Sequence, residues 1–192
     1  MDDRLYRFLV VTAIAMTIAW VGWSAYDSFF VGRTPGEMSY HAANNFFEDG
    51  NYARALEEYD AALREDPQNI YALRGQARSL MQLGRDNEAL AAFDEAIARE
   101  PDFGATYANR GILYDRMGKY PQAIADYEKA LQLDRELSEG PNWLTRFLRL
   151  QPDKPPTIDE RARYLRAQLA KPESERVLRM PEEDNKQRPY KM

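Results

Sequence analysis

The chain has no cysteine and a single histidine, His41. Without a thiol there is no cysteine nucleophile, no thiolate metal site and no disulfide. With one imidazole, neither a histidine-rich metal centre nor a serine–histidine triad can be assembled, and a lone histidine defaults to a structural or surface role. No glycine-rich loop joins a strand-like run to a helix, so no phosphate cradle is expected. The adjacent carboxylates Glu57-Glu58 and Glu182-Glu183 read as solvated charges, since nothing places either pair in a cleft. Net charge is −5 with a pI near 5.1. No basic stripe interleaved with aromatics crosses the central region, which argues against nucleic acid. Catalysis, a metal and a cofactor are therefore not expected, and a binding role is.

Charge is also missing from one long segment. Between Arg7 and Asp27 no residue is ionisable as an acid or base of the Asp, Glu, Lys or Arg type. Residues 8–26 are long enough to cross a bilayer as a helix, and Trp20, Trp23 and Tyr26 gather at the far end as interfacial aromatics do. A retained transmembrane anchor over 1–33 is the leading expectation. A cleaved signal peptide and a buried core helix compete with it, but the apolar run is long for the first. Arg4 and Arg7 precede the run while only Arg33 closely follows, which favours an inside N-terminus. The remaining chain would then face the periplasm of a bacterial envelope. Lack of cysteine is compatible with that oxidising compartment.

What recurs is more informative. Gly50, Gly84 and Gly118 lie 34 residues apart, and Ala55, Ala89 and Ala123 share a register with them. So do Tyr59, Phe93 and Tyr127, and Ala62, Ala96 and Ala130; Pro67 and Pro101 close two units, and Arg135 stands where a third proline would be. Ala55, Leu56, Tyr59, Ala62 and Leu63 make one apolar helical stripe, repeated from Ala89 and from Ala123. Small residues at Ala43, Ala77 and Gly111 alternate with bulky Phe46, Leu80 and Tyr114, the arrangement that close helix crossings require. A repeat of this length is a helix–turn–helix unit that must stack on its neighbours to bury its apolar face.

The pattern resembles the tetratricopeptide repeat (TPR) family over units 36–69, 70–103 and 104–137. The resemblance implies an all-α, three-repeat helical solenoid over 34–137, with the N-terminal transmembrane helix before it and C-terminal capping helices after it. It also implies that the first helices of the units line a groove that holds an extended peptide or a partner helix. By register, unit one would contribute Tyr40, Asn44 and Phe47; unit two Tyr71, Arg74, Arg78 and Met81; unit three Ala105, Ala108, Asn109 and Ile112. Arg74 and Arg78, one turn apart, would project together and hold a carboxylate or an acidic partner face. Some family members clamp the C-terminal carboxylate of chaperones with lysines, an arginine and asparagines. Asn44 matches one of those positions and Asn109 a second. The lysine positions of units one and three hold Tyr40 and Ala105, and the arginine position of unit three holds Asn109, so a copy of that clamp is not expected.

Signals at the boundaries complete the reading. Thr34-Pro35-Gly36-Glu37 suggests a helix start with Thr34 as cap and Pro35 at the first helical position. Only a few residues around Gly32 then separate the anchor from the repeats, which would hold the first unit near the headgroups. The missing third proline predicts a last helix running past residue 135. Residues 138–171 are read as capping helices. In the first, Trp143, Leu144, Phe147, Leu148 and Leu150 form an apolar face, and Trp143 and Phe147 would contact lipid or a partner if that face does not cap the solenoid. In the second, Thr157 caps and Glu160 completes the box, with Ile158, Ala162, Leu165 and Leu169 facing inward and Arg161, Arg163 and Arg166 around them. Residues 172–192 read as a polar tail, disordered or draped on the surface, with Val177, Leu178 and Met180 as an adhesive segment.

The expected function is a membrane-anchored scaffold or adaptor for assembly or maturation of a membrane or envelope complex. A cytosol-facing chaperone or import receptor, and a structural accessory subunit of a larger complex, are the alternatives. Oligomeric state is left open.

Overall fold

The structure is a computed structural model that describes residues 3–30, 34–139, 156–181 and 189–190. It divides into two compact units, Met1–Pro35 and Gly36–Met192. Every regular element among the described residues is helical.

The first unit is helix α1 (Asp3–Phe30). Its span Asp3–Asp27 covers 25 residues and contains an 18-residue window with a mean hydropathy of 1.8. That is about 37 Å of helix at 1.5 Å per residue, enough for a hydrocarbon core of about 30 Å. Among the described residues it is the one helix long and apolar enough to cross a membrane. Phe8, Val11, Ile14, Ile18, Trp20 and Trp23 are all exposed along it. The hydroxyls of Thr12 and Thr17 donate to the carbonyls of Phe8 and Ala13, each at 2.9 Å, so both side chains are satisfied inside the helix. An apolar solvent demands such internal satisfaction.

The second unit holds three helical hairpins: α2 (Glu37–Glu48) with α3 (Tyr52–Glu65), α4 (Ile70–Gln82) with α5 (Asp86–Arg99), and α6 (Gly104–Arg116) with α7 (Tyr120–Leu133). A 3-10 turn, Arg135–Ser138, follows α7, and α8 spans Ile158–Leu169. Each hairpin turns in the same way. The amide of Asn51 donates to the Phe46 carbonyl at 2.8 Å and that of Gly50 to the Phe47 carbonyl at 3.1 Å. Arg85 and Gly84, and then Lys119 and Gly118, repeat both bonds. The three turn glycines have φ of 77°, 71° and 74°, the left-handed conformation that this double closure of a helix end needs.

The recurring side chains are the core. Ala55, Ala89, Ala123, Tyr59, Phe93, Tyr127, Ala62, Ala96 and Ala130 are all completely buried. The rings need space that only a missing side chain supplies. A Cβ on Gly75 would lie 2.2 Å from Tyr59 ring carbons, and one on Gly111 2.7 Å from Cδ1 of Tyr127. The first helices touch in series, α2 with α4 and α4 with α6, so one side of the stack is built from first helices.

Two boundaries differ from expectation. Helix α2 starts at Glu37, with Gly36 as N-cap at φ 77° and no side-chain cap bond. The Gly36 amide instead donates to Glu65 Oε2 at 2.9 Å, tying the start of α2 to the end of α3. That long-range carboxylate serves the amide of the N-cap residue itself. Helix α7 stops at Leu133 and does not run past 135. Asp134 is extended, and its side chain accepts from the Glu136 amide and starts the 3-10 turn. An aspartate that caps its own turn competes with helix continuation.

Helix α8 begins with the expected reciprocal box: Thr157 accepts from the Glu160 amide and Glu160 from the Thr157 amide. It packs on α7 and on the 3-10 turn, burying Ile158, Ala162 and Leu165. It is the capping helix of the solenoid. The link around Gly32 and the helix expected at 141–150, with Trp143 and Phe147, lie outside the described residues.

Candidate peptide-binding groove

Helices α2, α4 and α6 present the residues that register assigned to the groove, and the structure divides them into an open and a closed end.

At the open end Tyr40, Asn44 and Phe47 of α2 are half-buried and Tyr71 of α4 is 57% exposed. The Tyr40 ring lies 6.3 Å from that of Tyr71 and 6.3 Å from that of Tyr59, so three phenols cluster here. Tyr59 donates to Asn44 Oδ1 at 2.6 Å. Burial pushes the Tyr59 phenol up to about 12, with Arg78 opposing the rise. Arg78 lies beneath this cluster, 6% exposed. Its guanidinium sits 4.5 Å over the Phe47 ring and hydrogen-bonds Tyr59. Among the described residues no carboxylate makes a direct salt bridge to it, although the charge of Glu48 is near enough to act on it, and its Nε has no hydrogen-bond partner. Burial lowers its pKa from the ordinary arginine value, with Tyr59 resisting. A desolvated cation with a spare donor and no direct ion pair is a receptor for an anionic or carbonyl group.

Arg74 does not join it. The expected pair of parallel guanidiniums is corrected: Arg74 reaches the far end of its own unit, where its Nη2 donates to Glu100 Oε2 at 2.6 Å and its guanidinium stacks 3.8 Å over Phe103. It is 1% exposed. Charge neutralisation by Glu100 and the flat face of Phe103 draw it to the unit boundary, where it fastens α4 to the start of α6.

At the closed end nothing projects freely. Met81, Ala105, Ala108, Asn109 and Ile112 are buried and belong to the interior, not to an accessible lining. The cover is the C-terminal part of the chain. Arg161 of α8 makes a bidentate pair with Asp115, Nε to Oδ2 at 2.7 Å and Nη2 to Oδ1 at 2.9 Å. Arg161, expected beside the apolar face of α8, is turned inward by the buried carboxylate of Asp115. Asn109 is bonded to the main chain of Tyr190, as donor at 3.1 Å and acceptor at 2.7 Å. Ile112, one turn from each, is sealed between them.

Glu100, Phe103, Asp115 and Tyr59 were missed as neighbours because each lies in a different helix or linker from its partner. Tyr190 was missed because its surroundings carry no periodic apolar pattern.

Comparison with known proteins fits this geometry. A family model described as Tetratricopeptide repeat matches residues 104–137, and a second of the same description matches residues 46–109. The hairpins are tetratricopeptide repeats. The TPR region is 32% identical over 100 residues to a DnaJ homolog subfamily C member 7 homolog of Dictyostelium discoideum, covering 50% of this chain and 19% of that protein. It is 26% identical over 106 residues to Hsp70-Hsp90 organizing protein 3 of Arabidopsis thaliana, covering 55% of this chain and 19% of that protein. The chain thus spans about a fifth of the length of these curated relatives. Among solved structures, the first TPR domain of Spaghetti (RPAP3), bound to the HSP90 peptide SRMEEVD, superposes with a TM-score of 0.58 at 20% identity, over 73% of this chain and 97% of that one. That likeness establishes the fold. The domain is a protein-interaction scaffold.

Proposed function

We propose that the chain is a membrane-anchored adaptor that holds an extended, acidic segment of a partner protein at the open end of the groove. The observation that carries this is Arg78: a buried guanidinium beside half-buried Tyr40 and exposed Tyr71, with no direct salt bridge of its own among the described residues and an unpartnered Nε. A partner carboxylate or carbonyl would supply the missing acceptor, and Tyr40 and Tyr71 would flank the bound segment with flat, low-entropy surfaces. Helix α1 supports anchoring by its length and apolarity. The excess of Arg4 and Arg7 over Arg33 supports a bacterial inner-membrane protein with its repeats in the periplasm.

A second reading is a chaperone receptor on a cytosol-facing membrane. It draws on the names of the relatives, DnaJ-type and Hsp70–Hsp90 organizing proteins, and on the HSP90 peptide held by the matched domain. If it holds, the acidic segment is the C-terminus of a chaperone. The binding mode would have to differ in detail, since Tyr40 and Ala105 replace lysines and Asn109 is already engaged.

The test is affinity isolation from native membranes with the wild-type chain and Arg78→Met, quantified by mass spectrometry. The adaptor reading expects a discrete partner that is depleted about tenfold or more with the variant; equal recovery with both chains would refute it. Protease protection of the repeats in sealed vesicles separates the two readings, because they require opposite faces of the membrane.

A further inference from the structure

The C-terminal segment is held on the solenoid in an unusual manner: side chains of the helices bind its main chain. The Val177 amide donates to Gln168 Oε1 at 3.0 Å, and the Val177 carbonyl accepts from the Tyr164 hydroxyl at 2.6 Å. The Leu178 carbonyl accepts from Arg161 Nη2 at 3.0 Å. At Tyr190 both main-chain groups are taken by one side chain, Asn109. This is how a protein reads a separate extended peptide, and not how consecutive packed elements usually meet.

Asn109 has no other reason to be where it is. It is completely buried, between the apolar positions Ala105, Ala108 and Ile112 of the same helix. Its hydrogen bonds among the described residues are those to Tyr190. Remove Tyr190 and an amide side chain is left in an apolar setting with no partner, a costly arrangement unless another backbone takes its place. The ring of Tyr190 completes the subsite. It packs against the core cluster, its hydroxyl donates to the Leu137 carbonyl at 3.1 Å, and burial pushes the phenol up to about 12.

We propose that Pro189-Tyr190 is an intramolecular ligand of the closed end, seated in a subsite that reads the main chain of residue 190 through Asn109 and the tyrosine hydroxyl through the Leu137 carbonyl. The segment is releasable. While seated, it confines partners to the open end formed by units one and two; when it leaves, Asn109 becomes available to an extended partner and the groove gains its third unit. The inference refines the adaptor reading, but the self-contact itself does not depend on it.

The experiment uses the full-length chain in detergent micelles and a fluorescent peptide of residues 181–192, followed by anisotropy. The wild-type chain, its subsite occupied, should bind the peptide weakly. Tyr190→Ala, which frees the subsite, should bind it at least tenfold more tightly. A peptide N-methylated at the tyrosine amide, unable to donate to Asn109, should lose at least tenfold on Tyr190→Ala. Should Tyr190→Ala not fold, a protease site placed after Pro181 and cut after folding releases the segment in its stead. Equal peptide binding by occupied and freed chains, or no loss on N-methylation, would overturn the proposal. These outcomes concern residues 109 and 190 alone. If they succeed while no partner is recovered through Arg78, the adaptor reading fails and the self-ligand stands.

Discussion

Arg74 and Arg78 are one helical turn apart and equally buried, yet they do opposite work. Arg74 has Glu100 and Phe103 and is a fastener between units. Arg78 has Phe47 and Tyr59 and no direct salt bridge among the described residues. Replacing a buried cation that lacks a carboxylate partner with an apolar side chain of similar length removes a desolvation cost. Arg78→Met is therefore expected to leave the urea midpoint unchanged or raise it, while partner capture falls about tenfold or more. A lowered midpoint together with retained capture would make Arg78 structural. The two high tyrosines offer a test at the same scale. Tyr59 and Tyr190 are both held up to about 12 by burial, while an unfolded chain ionises tyrosine near pH 10. Their raised values contribute stability that is complete below pH 10 and is lost as pH rises toward 12. Absorbance titration should show the Tyr59 and Tyr190 phenols ionising toward pH 12, and Tyr190→Phe should remove one of them without altering the other. Ionisation of either phenol near pH 10 would contradict its burial.

Among elements, the hairpins depend on ring-against-glycine contacts and the cap depends on a buried ion pair. Gly75→Ala would drive a methyl group into the Tyr59 ring and should cost about 1–3 kcal/mol, read from the shift in denaturation midpoint. Breaking one side of the Arg161–Asp115 pair leaves the other charge buried. Asp115→Asn is expected to cost about 3–5 kcal/mol, and Asp115→Leu with Arg161→Met to recover most of it; an additive double variant would contradict that coupling. The helices, the glycine turns, the fully buried registers and the α8 capping box could all be read from the sequence. Each is local or repeats at 34 residues, so one observation supports another. The start of α2 was legible to within two residues, but the bond from its N-cap amide to Glu65 at the far end of α3 was not. The end of α7 was misread through a proline that is missing, when the deciding residue was Asp134. For the groove, register correctly placed its residues on the first helices but said nothing of what lies over them. The cover comes from Arg161 and Tyr190, in segments without periodicity, and only tertiary contact shows that α6 is taken and α2 and α4 are left open.

At the scale of the whole molecule, a long apolar helix precedes a three-repeat scaffold whose groove is open at the end nearer that helix in sequence and closed by the chain's own C-terminal segment at the other. This polarity is the central claim, and it concerns accessible surface, so it can be probed in place. The most direct measurement is site-specific photo-crosslinking in native membranes from a probe at Tyr71, compared with a probe at Ala91, an exposed residue of the second helix of unit two. The account predicts a discrete partner captured from residue 71, lost when Arg78→Met is introduced, and absent from residue 91. Equal capture from both positions, or capture from residue 71 that survives Arg78→Met, would contradict it.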